Sequence, residues 1–203
     1  MLNDKLLNIK TEMVQKASYE SQHYNRYEPT PYPVLERLFD YVELEQTDRI
    51  VDFGCGTGRL NFYVHHRFQP TVVGVEMNEF YYHVANENKN SYLGVFGFSE
   101  SRIIFENSLA QDYAIHPRDN VFYFFNPFSI QIFINVINNI VHSFEEESRD
   151  IQLILYYAPE DYVFFLENKT AFQLKREIPL PGNVYEKFLI YSLEVIAPTR
   201  KVD

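Results

Sequence analysis

One glycine-rich segment limits the folds open to this chain more than any other feature. An apolar run from Ile50 to Phe53 is followed by Gly54, Gly56 and Gly58 at alternate positions. Such a run, ending in closely spaced glycines, is typical of a buried strand, a tight loop and a helix start. Glycines suit the loop because a Cβ would hold its backbone away from a bound ligand. The segment therefore predicts a ligand-binding strand–loop–helix unit.

A second apolar run ends in an acidic residue at the spacing expected for a neighbouring strand. The run Val72-Val73-Gly74-Val75 ends in Glu76, which follows Gly58 by eighteen residues. In a parallel α/β fold, this spacing places Glu76 at the carboxyl end of the next strand, where a carboxylate accepts hydrogen bonds from ribose hydroxyls. The loop and the acid together predict a site for a nucleoside-containing cofactor.

Several cofactor-binding loops are rich in glycine, and their spacings differ. A phosphate-binding P-loop has a lysine after its last glycine, whereas Arg59 follows Gly58 here. A dinucleotide-binding loop reads Gly-x-Gly-x-x-Gly and would need a glycine at position 59. The chain has Gly-x-Gly-x-Gly instead, with Asp52 two residues ahead of it. The Tyr-x-x-x-Lys pair of short-chain NAD enzymes is also absent from the sequence, which disfavours an NAD enzyme.

The segment from Asp52 to Gly58, Asp-Phe-Gly-Cys-Gly-Thr-Gly, resembles the first motif of the class I S-adenosylmethionine-dependent methyltransferases, acid-x-Gly-x-Gly-x-Gly. The resemblance implies a Rossmann-like α/β fold with a mostly parallel seven-stranded sheet in the order 3-2-1-4-5-7-6. Helices would cover both faces, and a C-terminal antiparallel hairpin would close the sheet. The resemblance further implies S-adenosyl-L-methionine as the cofactor and methyl transfer as the reaction.

The same resemblance assigns residues to parts of the cofactor. Asp52 and the backbone of the glycine loop would hold the methionine part, and Glu76 would hold the ribose. Met77 would lie along the adenine as a soft, apolar contact. Each assignment follows from the position that the residue takes in the motif.

Recognition of the adenine amino group is the point at which the chain departs from the family. Many relatives have an acidic residue after the third strand, and Leu109 aligns with it here. Asn107, Ser108 or backbone groups would then contact the adenine. The predicted cofactor-binding residues are Asp52, Gly54, Cys55, Gly56, Gly58, Glu76, Met77, Asn107 and Ser108.

The corner Asn126-Pro127-Phe128 follows the fourth predicted strand, where the methyl group would be presented. Adenine and glutamine N-methyltransferases carry an Asn/Asp-Pro-Pro-aromatic tetrapeptide there, and this chain lacks one proline. We predict that Asn126 positions the acceptor, and that Pro127, Phe128, Tyr27 and Tyr32 line its pocket. Asn-Pro is also a good turn former, and tyrosines often pack in cores, so purely structural roles stay open.

Composition limits the partners of the chain. Its formal charge is −10, from 28 acidic and 18 basic residues, which disfavours binding to duplex nucleic acid. A small molecule or a protein is therefore the favoured acceptor. The single Cys55 excludes an intramolecular disulfide, and the six histidines show no metal-ligand spacing. Because the sequence has neither a leader-like start nor a long apolar run, we predict a cytoplasmic enzyme without a metal or membrane partner.

We predict one methyltransferase domain over residues 1–203, with a helical cap region at 1–48 and a Rossmann-like core at 49–195. In the cap, residues 3–22 read as a helix, and Thr30 is placed to cap the helix that follows. The strands are predicted at 49–53, 71–76, 103–105, 121–125, 151–157, 172–178 and 186–195. Because no catalytic set is evident, a non-catalytic cofactor-binding or scaffold protein of the same fold is the alternative.

Overall fold

The computed structural model describes residues 2–12, 28–182 and 186–195. Its strands are β1 (Arg49–Phe53), β2 (Thr71–Val75), β3 (Ile103–Glu106), β4 (Val121–Phe125), β5 (Ile151–Tyr156), β6 (Gln173–Pro179) and β7 (Lys187–Leu193). They form one sheet of seven strands in the order β3-β2-β1-β4-β5-β7-β6. The predicted fold class and strand order are confirmed.

Six α-helices surround this sheet in the described part of the chain. They are α1 (Asp4–Leu7), α2 (Tyr32–Leu38), α3 (Arg59–Phe68), α4 (Glu79–Phe96), α5 (Ile130–Glu146) and α6 (Glu160–Lys169). Helix α4 ends at Phe96 because the next residue, Gly97, is a left-handed C-cap with φ 65°.

The N-terminal region differs from the prediction. The helix expected over residues 3–22 ends at Leu7, where Asn8 adopts a left-handed φ of 55°. Its side-chain amide donates to the carbonyl of Ser91 over 2.9 Å. Tertiary contacts therefore replace the backbone hydrogen bonds that would continue the helix. Residues 13–27 lie outside the described residues. Thr30 is not a cap, because Pro31 takes the N-cap position of α2 and the Thr30 hydroxyl lies 2.8 Å from the Tyr123 hydroxyl.

Strand direction sets the position of the candidate site. Strands β3, β2, β1, β4 and β5 pair in parallel, so their carboxyl ends share one edge of the sheet. Strand β7 runs antiparallel to β5, and β6 runs antiparallel to β7. The hairpin predicted at this end is confirmed, since the segment between β6 and β7 is too short for a crossover helix.

Alternation along each strand divides the core between the two faces of the sheet. Ile50 of β1 packs in the cluster that includes α2 and α3, whereas Val51 and Phe53 pack in the cluster with α5 and α6. Because side chains alternate, Asp52 shares the face of Ile50. The same alternation along β2 places Glu76 on the face of Val72, beneath α3 and α4.

Candidate cofactor and acceptor site

The glycine loop runs from the end of β1 to the start of α3. Gly54, Gly56 and Gly58 have φ values of 80°, 55° and 89°, a region that residues with a Cβ rarely adopt. The backbone N–H groups of Gly54 and Cys55 both donate to the carbonyl of Val75, over 2.9 and 3.2 Å. These bonds fix the loop to the carboxyl end of β2.

The loop is also packed too closely for side chains. A Cβ on Gly54 would lie 3.0 Å from Cβ of Pro127, and a Cβ on Gly58 would lie 2.7 Å from Cζ of Phe105. Phe105 of β3 therefore lies under the loop, and Pro127 lies beside it. The predicted glycine loop and the predicted acceptor corner are thus in direct contact.

Glu76 is held in place by the loop. Its side chain is buried, and its Oε2 accepts a hydrogen bond from the Gly56 N–H over 2.9 Å. Its Oε1 accepts from the Asn78 N–H over 2.8 Å. A carboxylate has about four lone-pair sites, so each oxygen retains acceptor capacity. The geometry fits a carboxylate that is already oriented to accept two ribose hydroxyls.

Asp52 adds a second buried carboxylate on the same face of the sheet. Burial raises the pKa of Asp52 well above its ordinary value, and the nearby Glu76 charge raises it further. Burial also raises the pKa of Glu76, although the N–H donors of Asn78 and Gly56 oppose this shift. Two buried acids that both resist ionisation favour a ligand that carries positive charge.

Asn107 lies after β3 and has a structural role. Its side-chain amide donates to the carbonyls of Glu76 and Met77, over 2.8 and 3.2 Å. The Asn107 side chain therefore holds the segment after β2 in place. Its contact with adenine stays a prediction.

Ser108 is better suited to a ligand contact. Its hydroxyl oxygen is buried and has no hydrogen-bond partner among the described residues. Such an orphaned hydroxyl is uncommon in a folded protein. Apolar side chains are exposed in the same region of the sheet edge, at Met77, Phe80 and Leu109. The Ser108 hydroxyl can still form a hydrogen bond, and it lies near exposed apolar side chains. Both properties agree with the prediction that adenine binds here.

Cys55 contributes through its backbone and its packing. Its side chain is buried, and burial raises the pKa of the thiol. A Cβ on Gly74 would lie 2.6 Å from the Cys55 sulfur. The sulfur therefore fills the space that Gly74 leaves in β2, which the sequence pattern did not indicate.

The predicted acceptor corner consists of Asn126, Pro127 and Phe128, and these residues differ in burial. Asn126 has a left-handed φ of 37° and is half-buried, like Pro127. Phe128 is 3% exposed and packs edge-on against Phe124, with ring centroids 6.2 Å apart. Its ring belongs to the core beneath α5 and α6. The ring therefore packs in the core on the face opposite Asp52 and Glu76, and its place in the acceptor pocket stays a prediction.

Tyr32 packs between the N-terminal residues and α3. Its buried hydroxyl donates to Asp4 Oδ1 over 2.6 Å, and the Arg59 guanidinium lies 4.8 Å from its ring centroid. We therefore leave Tyr32 out of the acceptor pocket proposed below. Tyr27 lies outside the described residues.

The N-terminal segment is fastened to the glycine loop by two polar residues that sequence patterns did not identify. Arg59 donates from Nε to the Thr11 hydroxyl over 2.6 Å. Asn88 of α4 accepts from the Lys10 N–H over 2.8 Å and donates to the Thr57 carbonyl over 3.0 Å. The only local sign of this role is a polar residue, Asn88, on the buried side of a helix. Sequence patterns could not show its partners, because they are distant in sequence.

The described residues contain no group of three His, Cys, Asp or Glu side chains placed to hold a metal ion. Within the same ranges, no helix is both long enough and apolar enough to cross a bilayer.

The sheet order and the glycine loop define the Rossmann-like fold of class I methyltransferases. An RNA methyltransferase from Salinibacter ruber, crystallised with S-adenosyl-L-homocysteine, is 18% identical with a TM-score of 0.62, over 85% of this chain and 97% of that one. The precorrin-6y C5,15-methyltransferase of Geobacter metallireducens is 10% identical with a TM-score of 0.62, over 85% and 93%. At these identities the likeness concerns the fold.

A third structure shares the fold and the bound product. The Pyrococcus abyssi tRNA (uracil-54, C5)-methyltransferase, in complex with S-adenosyl-L-homocysteine, is 16% identical with a TM-score of 0.53, over 79% of this chain and 37% of that one. A search of curated proteins gave no match. The sequence model of the histone methylation protein DOT1 family matches residues 7–129, more than half of the chain. The chain belongs to this family.

Proposed function

We propose that this chain is an S-adenosylmethionine-dependent methyltransferase and that its acceptor is a protein. The observation that carries the proposal is the hydrogen bond from the Gly56 N–H to Glu76. It joins the glycine loop to the carboxylate that would bind the ribose. A Cβ on Gly58 would clash with Phe105 at 2.7 Å, and one on Gly54 would lie 3.0 Å from Cβ of Pro127. S-adenosyl-L-homocysteine, the demethylated product, is bound in two structures of the same fold.

When bound, S-adenosylmethionine supplies a methyl group on a positively charged sulfur. Glu76 would accept hydrogen bonds from the ribose hydroxyls, and Ser108 would offer its hydroxyl to the adenine. Asp52 would stabilise the positive charge of the methionine part. Because the methyl donor is already activated, the remaining task is to align the acceptor and exclude water. Asn126, beside the loop at the end of β4, is placed to orient the acceptor.

A protein acceptor is favoured by family and by charge. The family is described as one of histone methylation, and histones are basic proteins. With a formal charge of −10, this chain would attract a basic polypeptide and repel a polyphosphate. RNA is the second candidate, because the Salinibacter ruber and Pyrococcus abyssi proteins act on RNA or tRNA.

Two measurements test the proposal in sequence. Calorimetric titration with S-adenosylmethionine, S-adenosylhomocysteine and NAD should show binding of the first two only. Tritiated S-adenosylmethionine should then label purified core histones in preference to bulk tRNA. Binding without transfer to either acceptor would favour the alternative of a non-catalytic cofactor-binding protein. Tighter binding of NAD would overturn the cofactor assignment.

A further inference from the structure

Residues 2–12 form a short N-terminal strap that packs on α3 and α4. Within it, Leu7, Ile9 and Thr11 are all buried. Leu7 and Ile9 pack in the core cluster that contains Phe62 of α3 and Tyr92 of α4. The strap is therefore held by the core of the domain, although no residue of the cofactor motif lies in it.

Asn88 of α4 joins the strap to the glycine loop. Its Oδ1 accepts a hydrogen bond from the Lys10 N–H over 2.8 Å, and its Nδ2 donates to the Lys10 carbonyl over 3.0 Å. The same nitrogen donates to the Thr57 carbonyl over 3.0 Å. Asn88 is buried, so water does not compete for these bonds. The amide has two N–H donors, and both are used here, one on the strap and one on the loop.

Thr11 makes a second connection, to the first residue of α3. Its hydroxyl accepts from Arg59 Nε over 2.6 Å and donates to Asp4 Oδ1 over 2.7 Å. Within the described ranges, Arg59 pairs with two carboxylates, Asp4 and Glu12, over 3.7 and 3.6 Å. Both belong to the strap, and Arg59 is buried. The strap therefore supplies the opposite charges that a buried guanidinium needs.

The two connections reach the glycine loop on either side of Gly58. Thr57 precedes this glycine, and Arg59 follows it. Gly58 has a φ of 89°, and a glycine has more backbone freedom than any other residue. The bonds from the strap therefore restrain the loop at the point where its own sequence leaves it most free.

We propose that Asn88 and Thr11 are positioning residues for the cofactor, through which the N-terminal strap holds the glycine loop in its binding conformation. Coupling between two events is reciprocal. A ligand that requires this loop conformation must therefore also stabilise the strap against local opening. The inference rests on the proposed methyltransferase function, and both residues act through the loop.

Three substitutions separate the connections to the loop from the rest of the strap. Thr11→Val removes the hydroxyl at nearly unchanged volume, and Asn88→Ala removes all three amide bonds. Asn8→Gly is the matched control, because Asn8 joins the strap to the Ser91 carbonyl of α4 and glycine keeps the left-handed C-cap. The readouts are S-adenosylhomocysteine affinity by calorimetry, melting temperature, and amide hydrogen exchange of residues 2–12 by mass spectrometry, with and without saturating S-adenosylhomocysteine.

Thr11→Val and Asn88→Ala should each weaken S-adenosylhomocysteine binding by about tenfold, within the usual range of coupling between sites. Asn8→Gly should bind as the wild type does, even where its melting temperature falls. In the wild type and in Asn8→Gly, saturating S-adenosylhomocysteine should slow exchange in the strap, and it should do so less in the other two variants.

Wild-type affinity in folded Thr11→Val would overturn the inference, as would an equal loss of affinity in Asn8→Gly. Exchange of the wild-type strap that does not respond to S-adenosylhomocysteine would also overturn it, and this measurement decides even where Asn88→Ala fails to fold. Failure of the wild type to bind S-adenosylmethionine or S-adenosylhomocysteine would instead overturn the proposed function, and this inference with it.

Discussion

The backbone N–H of Gly56 donates to Oε2 of Glu76 over 2.9 Å, although the two residues are 20 positions apart. The bond joins the loop after β1 to the acid after β2. It orients the carboxylate before any ligand binds, so less ordering is required on binding. Loss of either partner should therefore disturb the conformation of the loop and lower the affinity for the ligand.

Glu76→Ala should weaken S-adenosylmethionine binding by about 1.5–3 kcal/mol, the range for hydrogen bonds to a charged group. It should also lower the melting temperature, because the N–H groups of Gly56 and Asn78 lose their acceptor. Calorimetry and thermal unfolding measure the two effects. Glu79→Ala, at an exposed position on α4, is the control and should change neither. Wild-type affinity in Glu76→Ala would contradict the assigned role.

Asp52→Asn should stabilise the ligand-free protein and weaken cofactor binding. The pKa of Asp52 is raised in the fold above its ordinary 3.8, so the folded state holds the proton more tightly than the unfolded state. Ionisation at neutral pH therefore costs folding free energy, and this cost disappears below the unfolded pKa. The unfolding free energy of Asp52→Asn at pH 7 should therefore exceed that of the wild type.

Denaturant unfolding at pH 7 and pH 4 checks the prediction for Asp52, since the gain should shrink at the lower pH. A variant less stable than wild type at pH 7 would show that the carboxylate is stabilised by its surroundings. Affinity for S-adenosylmethionine, measured on the same preparation, should fall.

Gly74→Ala should destabilise the protein by about 1–3 kcal/mol, the usual cost of overpacking a core. The added Cβ would lie 2.6 Å from both the Cys55 sulfur and the Phe105 ring. Gly94→Ala is the matched control, because nothing lies within 4 Å of a Cβ at that position of α4. The control should gain about 0.5–1 kcal/mol from helix propensity. Equal effects of the two changes would refute the packing role of Gly74.

His65 should make stability depend on pH below neutrality. Burial lowers its pKa from 6.5 to about 4, with smaller contributions from Arg102 and His66. The neutral ring is favoured in the fold, so its stabilisation is complete above pH 6.5 and is lost as the pH falls towards 4. His65→Phe should remove on the order of 2 kcal/mol of this dependence, as measured by urea unfolding between pH 4 and 7. An unchanged pH slope would contradict the assignment.

Asn126→Gly should lower turnover by about tenfold or more and leave cofactor affinity unchanged, because alignment of the acceptor is lost. Glycine tolerates the φ of 37° at this position, so the turn should persist. Turnover, melting temperature and S-adenosylmethionine affinity should be measured on one preparation. A stable variant with wild-type turnover would reduce Asn126 to a turn residue.

Local sequence signals determined the strands of the core and the conformation of the glycine loop. Strand β1 has the predicted bounds, 49–53, because a buried parallel strand is mostly apolar. The spacing of Gly54, Gly56 and Gly58 likewise fixed the left-handed loop, since few other residues adopt those angles. These features depend on neighbours in sequence, and a single sequence therefore reveals them.

Tertiary structure decided the features that depend on distant partners. The expected helix over residues 3–22 ends at Leu7, because Asn8 and Lys10 bond to α4. Phe128 turns into the core, although its position in the motif suggested a pocket residue. Pro127 lies far from Gly54 in sequence, and only the pairing of β1 with β4 brings the two residues together. The amino-acid sequence alone determined which residues could bind a nucleoside cofactor, whereas packing across the sheet decided which of them meet.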